Sequence, residues 1–449
     1  MNSVTDFPPI TRRAVLALTI PIILSNLAAP IGAAIITAVL GQLGDAAVLG
    51  GAGICIEIFA LLFWSFGFLR MSTSGLTAQA RGAGDANEIA AILERALLVA
   101  VVLGLALILL QVPIGTAMLW VFGASAPVQK AAWTLYAWQV WSAPFVFVNY
   151  AVTGWLIGLA QTGRAMALFF VLTVVEVTLS LLFVLDLNWG IAGAGAAVLI
   201  GHVIASMAGL VLAFLEIRAR GGRAQTAAVF AAAPLWRLFS INSDIMIRTL
   251  CLECAFATLA ALGARNGDVA LAANGILLGL FAIAVNIVDG FANSVETFTG
   301  QAVGAKRRDR MMEAVWLTSQ AAGIVAAFAS VSLWLFGGYA IDIMTTAPAV
   351  RDAARQFLPW CALTPVVGFA AFQLDGMFIG ATRGRDMRNL MIICLAVFWT
   401  SAAILVPILG NHGVWLALLI FFAARGITYA YRFPALMRDA FAYESGSRG

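Results

Sequence analysis

The sequence predicts an all-α integral membrane protein with twelve transmembrane helices in two six-helix lobes related by a parallel repeat. Composition supplies the class. Of 449 residues, 62% are hydrophobic and 11% charged, and a mean hydropathy of +0.96 does not belong to a soluble globule. Internal similarity supplies the arrangement, because the chain resembles itself at an offset of about 222 residues. Thr153-Gly154-Trp155-Leu156-Ile157-Gly158 returns as Asp375-Gly376-Met377-Phe378-Ile379-Gly380, and Thr77-x-Gln79-Ala80-x-Gly82-Ala83 returns as Thr299-x-Gln301-Ala302-x-Gly304-Ala305. Gly44-Asp45 with Gly53-Ile54 returns as Gly267-Asp268 with Gly275-Ile276, within one residue of the same offset. Matches in chain order indicate two homologous halves, the usual build of a secondary transporter.

Each span follows from an apolar run of about twenty residues, the length that crosses a bilayer. The first lies near 16–40, after Arg12 and Arg13, and contains Pro21 and Pro30; the second, near 50–69, ends at Arg70. The third covers about 96–122, and the fourth, near 132–159, closes on the first Gly-x-x-Ile-Gly frame. The fifth follows Arg164 over about 165–185, and the sixth runs near 191–214 toward a basic loop. The second half repeats the series near 245–262, 271–295, 314–341, 357–379, 390–409 and 413–430, with the second Gly frame again closing the fourth run. Six spans return the chain to its starting side, so the second half enters as the first did and the repeat is parallel rather than inverted.

Arginine fixes the orientation. Arg12, Arg13, Arg81, Arg164, Arg218, Arg220, Arg223, Arg237, Lys306, Arg307, Arg308, Arg310, Arg383, Arg385, Arg388, Arg432, Arg438 and Arg448 fall on alternate connections, while the opposite ones hold only Lys130, Arg265, Arg351 and Arg355. The positive-inside rule then makes both termini cytoplasmic, and the membrane is expected to be a bacterial cytoplasmic (inner) membrane. The net charge of +4 reports that topology and is no argument for nucleic acid. Residues 1–10 are polar, carry Asp6, and lack a basic n-region or a cleavage site, so no removable signal peptide is expected. The basic, glycine-containing stretch 218–235 reads as a cytoplasmic linker between an N-lobe at 1–217 and a C-lobe at 236–449 that ends in a short cytoplasmic tail.

Enzyme chemistry is not indicated. The five cysteines Cys55, Cys251, Cys254, Cys361 and Cys394 fall within spans. The Cys251-Leu-Glu-Cys254 pair has no second pair to complete a metal set, and it reads as packing. His202 and His412 complete no catalytic or metal cluster, and the loops are too short for an ATPase domain. Energy must come from an ion gradient or a partner chain.

Function is therefore sought in the ionisable residues left inside the spans, each of which costs several kcal/mol in hydrocarbon unless it faces a cavity or a partner. They include Glu57, Glu176, Glu253, Asp289, Glu296 and Asp375, with Arg425 in the last span. Asp244 and Arg248, four apart on one helical face, are expected to form a structural ion pair. The repeat tests the others. The positions 222 before Glu253, Asp289, Glu296 and Asp375 are Ile31, Gly67, Ser74 and Thr153. None is acidic, so the fold does not require these carboxylates. Small neighbours beside Asp289 and Asp375 leave room for an ion or substrate.

Four segments resemble the multidrug and toxic compound extrusion (MATE) transporters, within them the DinF-like branch. They are Phe68-Leu-Arg-Met-Ser-Thr-Ser-Gly75-Leu-Thr-Ala-Gln79-Ala-Arg-Gly-Ala-Gly84-Asp85, Asn242-Ser-Asp244-x-x-x-Arg248, Asp289-Gly-Phe-Ala with Glu296 and Gly300-Gln301, and Phe372-Gln-Leu-Asp375-Gly-x-x-Ile-Gly-Ala-Thr-Arg383. The resemblance spans nearly the whole chain. It implies a V of two lobes with a central cavity that alternates between faces. It also implies export of small organic, often cationic, compounds in exchange for protons or sodium ions, by a monomer set in membrane lipid. No cofactor beyond the coupling ion and no bound metal is implied.

The family's functional residues carry over unevenly. The hinge proline of its first helix falls on Pro21, with Pro30 as a further breaker. Its first-helix carboxylate falls on Ile36, and its fifth-helix asparagine and aspartate fall on Glu176 and Ser180. Both N-lobe proton positions, Ile36 and Ser180, are thus lost, and an acid is gained one turn away. One account gives the proton chemistry to Glu176, with Glu57 or His202 as helper; the other gives it to the C-lobe acids. The first is favoured because a mid-span acid has little structural excuse. At about 100 mV one proton is worth about 2.3 kcal/mol, roughly a fifty-fold gradient of a neutral substrate. Trp64, Phe68, Trp138, Trp141 and Phe372 are candidates for stacking on flat cations. The rival readings are a lipid-linked precursor flippase of the same wider superfamily and a dedicated natural-product exporter. The flippase ranks second because such cavities are rich in arginine, which here lies almost wholly in loops.

Overall fold

The structure, a computed structural model, describes residues 9–223 and 229–442, with only the backbone of Ala29. Asp6, the middle of the linker at 224–228 and the tail with Arg448 lie outside the described residues. Among the described residues twelve helices are long and apolar enough to cross a membrane, as the hydropathy runs predict.

The first half begins with α1 (Arg12–Gly41), which stays helical through Pro21 and Pro30. The second span is α2 (Ala46–Ser65) and α3 (Phe68–Gly82), interrupted at Phe66-Gly67. Next come α4 (Ala86–Leu109) with its short continuation α5 (Gln111–Phe122). The fourth span is α6 (Ala126–Gln139) and α7 (Ala143–Gly158), joined by a tight turn at Val140–Ser142. Pro144 in the first turn of α7 has no N–H to continue the preceding helix, which accounts for that break. α8 (Thr162–Ser180) ends in a widened turn at Leu181–Asp186, and α9 (Gly190–Arg220) closes the half. The second half comprises α10 (Ala232–Arg265), α11 (Asp268–Gly304), α12 (Arg308–Met344), α13 (Pro348–Gly380), α14 (Gly384–Leu409) and α15 (Asn411–Ala440).

The chain forms two compact units. One holds Leu24–Arg81 and Asp85–Leu238; the other holds Gly82–Gly84, the described residues from Phe239 onward and those up to Ile23. Helix α1 therefore contributes to both.

The 222-residue repeat has a physical basis at the helix crossings and the turns. In the N-terminal unit, a methyl group at Gly154 or Gly158 of α7 would run into the backbone carbonyl of Arg70 or Ser74 on α3. In the C-terminal unit, one at Gly376 or Gly380 of α13 would run into the carbonyl of Ala292 or Glu296 on α11. Each partner is displaced by the same 222 residues, so the repeated glycines mark one backbone-to-backbone crossing made twice. The turns obey the same ruler. Left-handed residues pair as Gly84 (φ 71°) with Lys306 (54°), Ala160 (53°) with Thr382 (55°), and Asn188 (54°) with Gly410 (56°). Their closing bonds also match: Asp85 N donates to Ala80 O at 3.0 Å and Arg307 N to Ala302 O at 2.9 Å. Gln161 N to Leu156 O at 2.8 Å and Arg383 N to Phe378 O at 2.9 Å form the other pair, the six-to-one closure of a Schellman turn. The Gln-Ala-x-Gly-Ala repeats are thus helix ends.

Candidate functional site

A cavity of about 270 Å³ lies inside the N-terminal unit, walled by α1, α2, α6, α7, α8 and α9, and Glu176 of α8 faces it. The acid fits because residue 201 on α9 is glycine: a Cβ there would stand 2.5 Å from Glu176 Cγ. The next residue, His202, brings Nε2 to 3.5 Å from Glu176 Oε1, with the two side chains 16% and 14% exposed. Behind the imidazole, Asn149 Nδ2 of α7 lies 3.4 Å from His202 Nδ1 and 3.4 Å from its backbone oxygen. Glu176 has no arginine or lysine partner among the described residues.

Ile36 lines the same cavity, so the aliphatic residue predicted to have displaced an acid stands in the wall beside the acid that was gained. Thr37, its neighbour, turns its hydroxyl back to Ala33 O at 2.8 Å. Ser180 is fully buried and its hydroxyl has no hydrogen-bond partner. Phe63, Tyr150, Phe169 and Gln139 complete the part of the wall that matters for a flat organic guest. Sequence reasoning named none of these four. The available signal was uncharged, Gln139 and the Asn149-Tyr150 pair inside an otherwise apolar run.

The C-terminal unit does not repeat these side chains at the corresponding positions. The positions 222 after Asn149, Glu176 and His202 are Ala371, Phe398 and Ala424. Phe398 is fully buried and packs on Phe421 with ring centroids 5.7 Å apart, so an aromatic ring stands where the other unit has its acid.

Its own polar cluster sits elsewhere. Asp375 of α13 is 4% exposed, and its Oδ2 accepts from both Arg248 of α10 and Arg425 of α15. Arg425 is wholly buried, with its guanidinium 5.5–5.6 Å from the ring centroids of Phe372, Phe421 and Phe422, a desolvated cation–π arrangement. Asp289 of α11 acts electrostatically on Arg248 as a second acid. The positions 222 before Arg248, Asp375 and Arg425 are Asn26, Thr153 and Val203, so the N-terminal unit does not repeat this cluster.

The expected Asp244–Arg248 ion pair does not form. Asp244 Oδ1 instead takes Arg388 Nη1 of α14 at 2.6 Å, while Arg248 points to Asp375. Both acids are buried, and each has a guanidinium from another helix: Arg388 answers Asp244, which leaves Arg248 for Asp375. Of the other acids, Glu57 is exposed and Glu253 half-buried, Asp289 takes a hydrogen bond from Asn293 at 3.0 Å, and Glu296 is buried at the α11–α13 crossing. None lines the Glu176 cavity.

The expected aromatic candidates also lie away from it. Trp64 is 56% exposed and Phe68 is 5% exposed and packed. Trp138 and Trp141 border a separate apolar hollow of about 610 Å³ on the N-terminal unit. Phe372 is engaged with Arg425 and lies 5.6 Å from the Phe422 ring. No cluster of three or more His, Cys, Asp or Glu residues able to hold a metal occurs among the described residues.

Comparison with known proteins finds relatives over nearly the whole chain. The MatE family model matches residues 21–182 and 245–404, one stretch in each half. DNA damage-inducible protein F of Escherichia coli (strain K12) is 35% identical over 418 residues, covering 93% of this chain and 91% of the relative. A probable multidrug resistance protein NorM of Deinococcus radiodurans is 27% identical over 444 residues, covering 94% of each. Among solved structures, a MOP superfamily transporter from Pyrococcus furiosus, described for the reverse polarity of its binding pocket, matches in fold with a TM-score of 0.86. Its identity is 18% and the match covers 97% of each chain.

Proposed function

The chain belongs to the MatE family of multidrug efflux transporters, and from that premise we propose that it exports organic cationic or amphiphilic compounds by alternating access in antiport with protons. The working halves are lobes 1–217 and 236–449 joined by the linker 218–235, in a bacterial cytoplasmic membrane with both termini cytoplasmic. Pro21 and Pro30 of α1 serve as hinge positions.

The observation that carries the reading is the Glu176 carboxylate facing an aromatic-walled cavity without an arginine or lysine partner. A proton and an organic cation compete for one negative charge there. Loading the proton removes the charge that holds the cation, and losing it restores that charge, which is the exchange antiport requires. Phe63, Tyr150 and Phe169 offer faces on which a flat cation stacks. Coupling through Asp375 has less support, since two buried guanidinium groups already hold that carboxylate. A lipid-linked precursor flippase would need cationic groups for a phosphate headgroup, and the cavity presents an acid instead.

The test is substrate-induced proton release in everted vesicles with ethidium as the probe. Glu176→Gln is expected to insert normally and to lose at least about 90% of the exchange, a factor of ten or about 1.4 kcal/mol. Exchange at the unmodified rate in Glu176→Gln would remove the basis of the proposal.

A further inference from the structure

Among the described residues the side chain paired with Glu176 is His202. His202 is confined between two groups whose hydrogen-bonding roles are fixed. The Asn149 amide faces the His202 backbone oxygen, which only accepts, so the end of the amide presented there is the nitrogen. That nitrogen also faces His202 Nδ1, and Nδ1 must therefore be the unprotonated ring atom. The ring proton is left on Nε2, the ring atom that stands 3.5 Å from Glu176 Oε1.

We propose that His202, held in this tautomer by Asn149, restricts the Glu176 site to a single proton and closes it to sodium. The inference rests on the reading of Glu176 as the coupling acid and deepens it. A hard cation seeks oxygen ligands, but an N–H donor occupies the approach to the carboxylate and opposes a positive ion at short range. The imidazole cannot turn away without losing Asn149. Nor can it take a second proton at Nδ1 without setting N–H against N–H. Glu176 alone then titrates: the carboxylate takes one proton to become the acid, and the imidazole stays neutral throughout.

Among the described residues no other charged side chain lines this cavity. α1 contributes Ile36 and Thr37, α2 contributes Cys55, which bonds Gln139 Oε1 of α6 at 3.7 Å, and α7 contributes the Tyr150 phenol. Arg70 of α3 acts on Tyr150, and the exposed Glu57 of α2 lies outside the cavity wall. Thr173 of α8 packs against Gly32 of α1, its Cγ2 standing 3.1 Å from where a Cβ would be.

The experiment uses the full-length protein in proteoliposomes, with ethidium export driven either by a pH gradient or by a sodium gradient at matched pH. The unmodified protein is expected to respond to the pH gradient alone. His202→Gln, which can turn an amide oxygen toward Glu176, is expected to gain sodium-driven export at least about tenfold above that background, equivalent to about 1.4 kcal/mol of changed ion preference. Asn149→Leu frees Nδ1 and is expected to add a second, acid-side limb to the pH profile without sodium response. That change in shape is one a merely structural role would not produce. Sodium-driven export by the unmodified protein, or an ion preference and pH profile unchanged in both variants, would overturn the proposal. If Glu176→Gln kept full proton-driven export, the underlying reading would fail instead, so the two failures are distinguishable.

Discussion

Replacing Asp375 by asparagine separates a structural acid from a coupling acid. The substitution preserves shape and removes the charge that faces Arg248 and Arg425, 6% and 0% exposed respectively. Breaking a buried ion pair from one side costs about 3–5 kcal/mol, because the remaining charge stays buried without its partner. Here two guanidinium groups lose the same partner, and Tyr429 and Asp289 remain to act on Arg248. At about 2–4 °C per kcal/mol, the C-terminal unit should melt roughly 6–20 °C lower. The buried thiols Cys361 and Cys394 lie in its core, so a thiol-reactive dye added to detergent-purified protein reads the transition directly. The triple change Asp375→Leu, Arg248→Met and Arg425→Met removes all three charges and should recover most of the loss, since an apolar replacement of similar volume is often neutral or stabilising. An Asp375→Asn protein that melts like the unmodified one yet loses proton exchange would refute this account and make Asp375 the coupling acid.

Two glycines give further tests, each with an internal control. Gly201→Ala should displace Glu176, at about 1–3 kcal/mol of overpacking, and lower vesicle proton exchange at normal expression. Gly163→Ala, with nothing within 4 Å of the added carbon, should change neither. Gly380→Ala should drive α13 away from the Glu296 carbonyl and reduce the monodisperse peak in size-exclusion chromatography, whereas Gly275→Ala, also with open space around it, should leave that peak intact.

The spans and the repeat were legible because both depend on features that sequence displays directly: run length, and glycine where two backbones touch. The Gly-x-x-Ile-Gly frames could be matched by eye, and the structure supplies their cause in the carbonyls of Arg70, Ser74, Ala292 and Glu296. Glu176 was singled out for a different reason, as a mid-span acid at the family's fifth-helix position. Pairing was not. The four-residue spacing of Asp244 and Arg248 is a local geometry visible in one dimension, but Arg248 bonds an acid 127 positions away, and burial chose that partner. The cavity wall escaped notice because Phe63, Tyr150 and Phe169 differ from other apolar residues only in which way they face. The tryptophans favoured for stacking are instead largely exposed, as Trp64 and Trp141 illustrate.

The Arg425 guanidinium has one more consequence. A cation attached to the polypeptide is present at its carboxylate at an effective concentration far above that of any free ion, because its encounter with Asp375 is intramolecular. The C-terminal unit thus keeps its counter-charge in any medium, dilute or saline. The stability of this cluster is therefore expected to be insensitive to added salt.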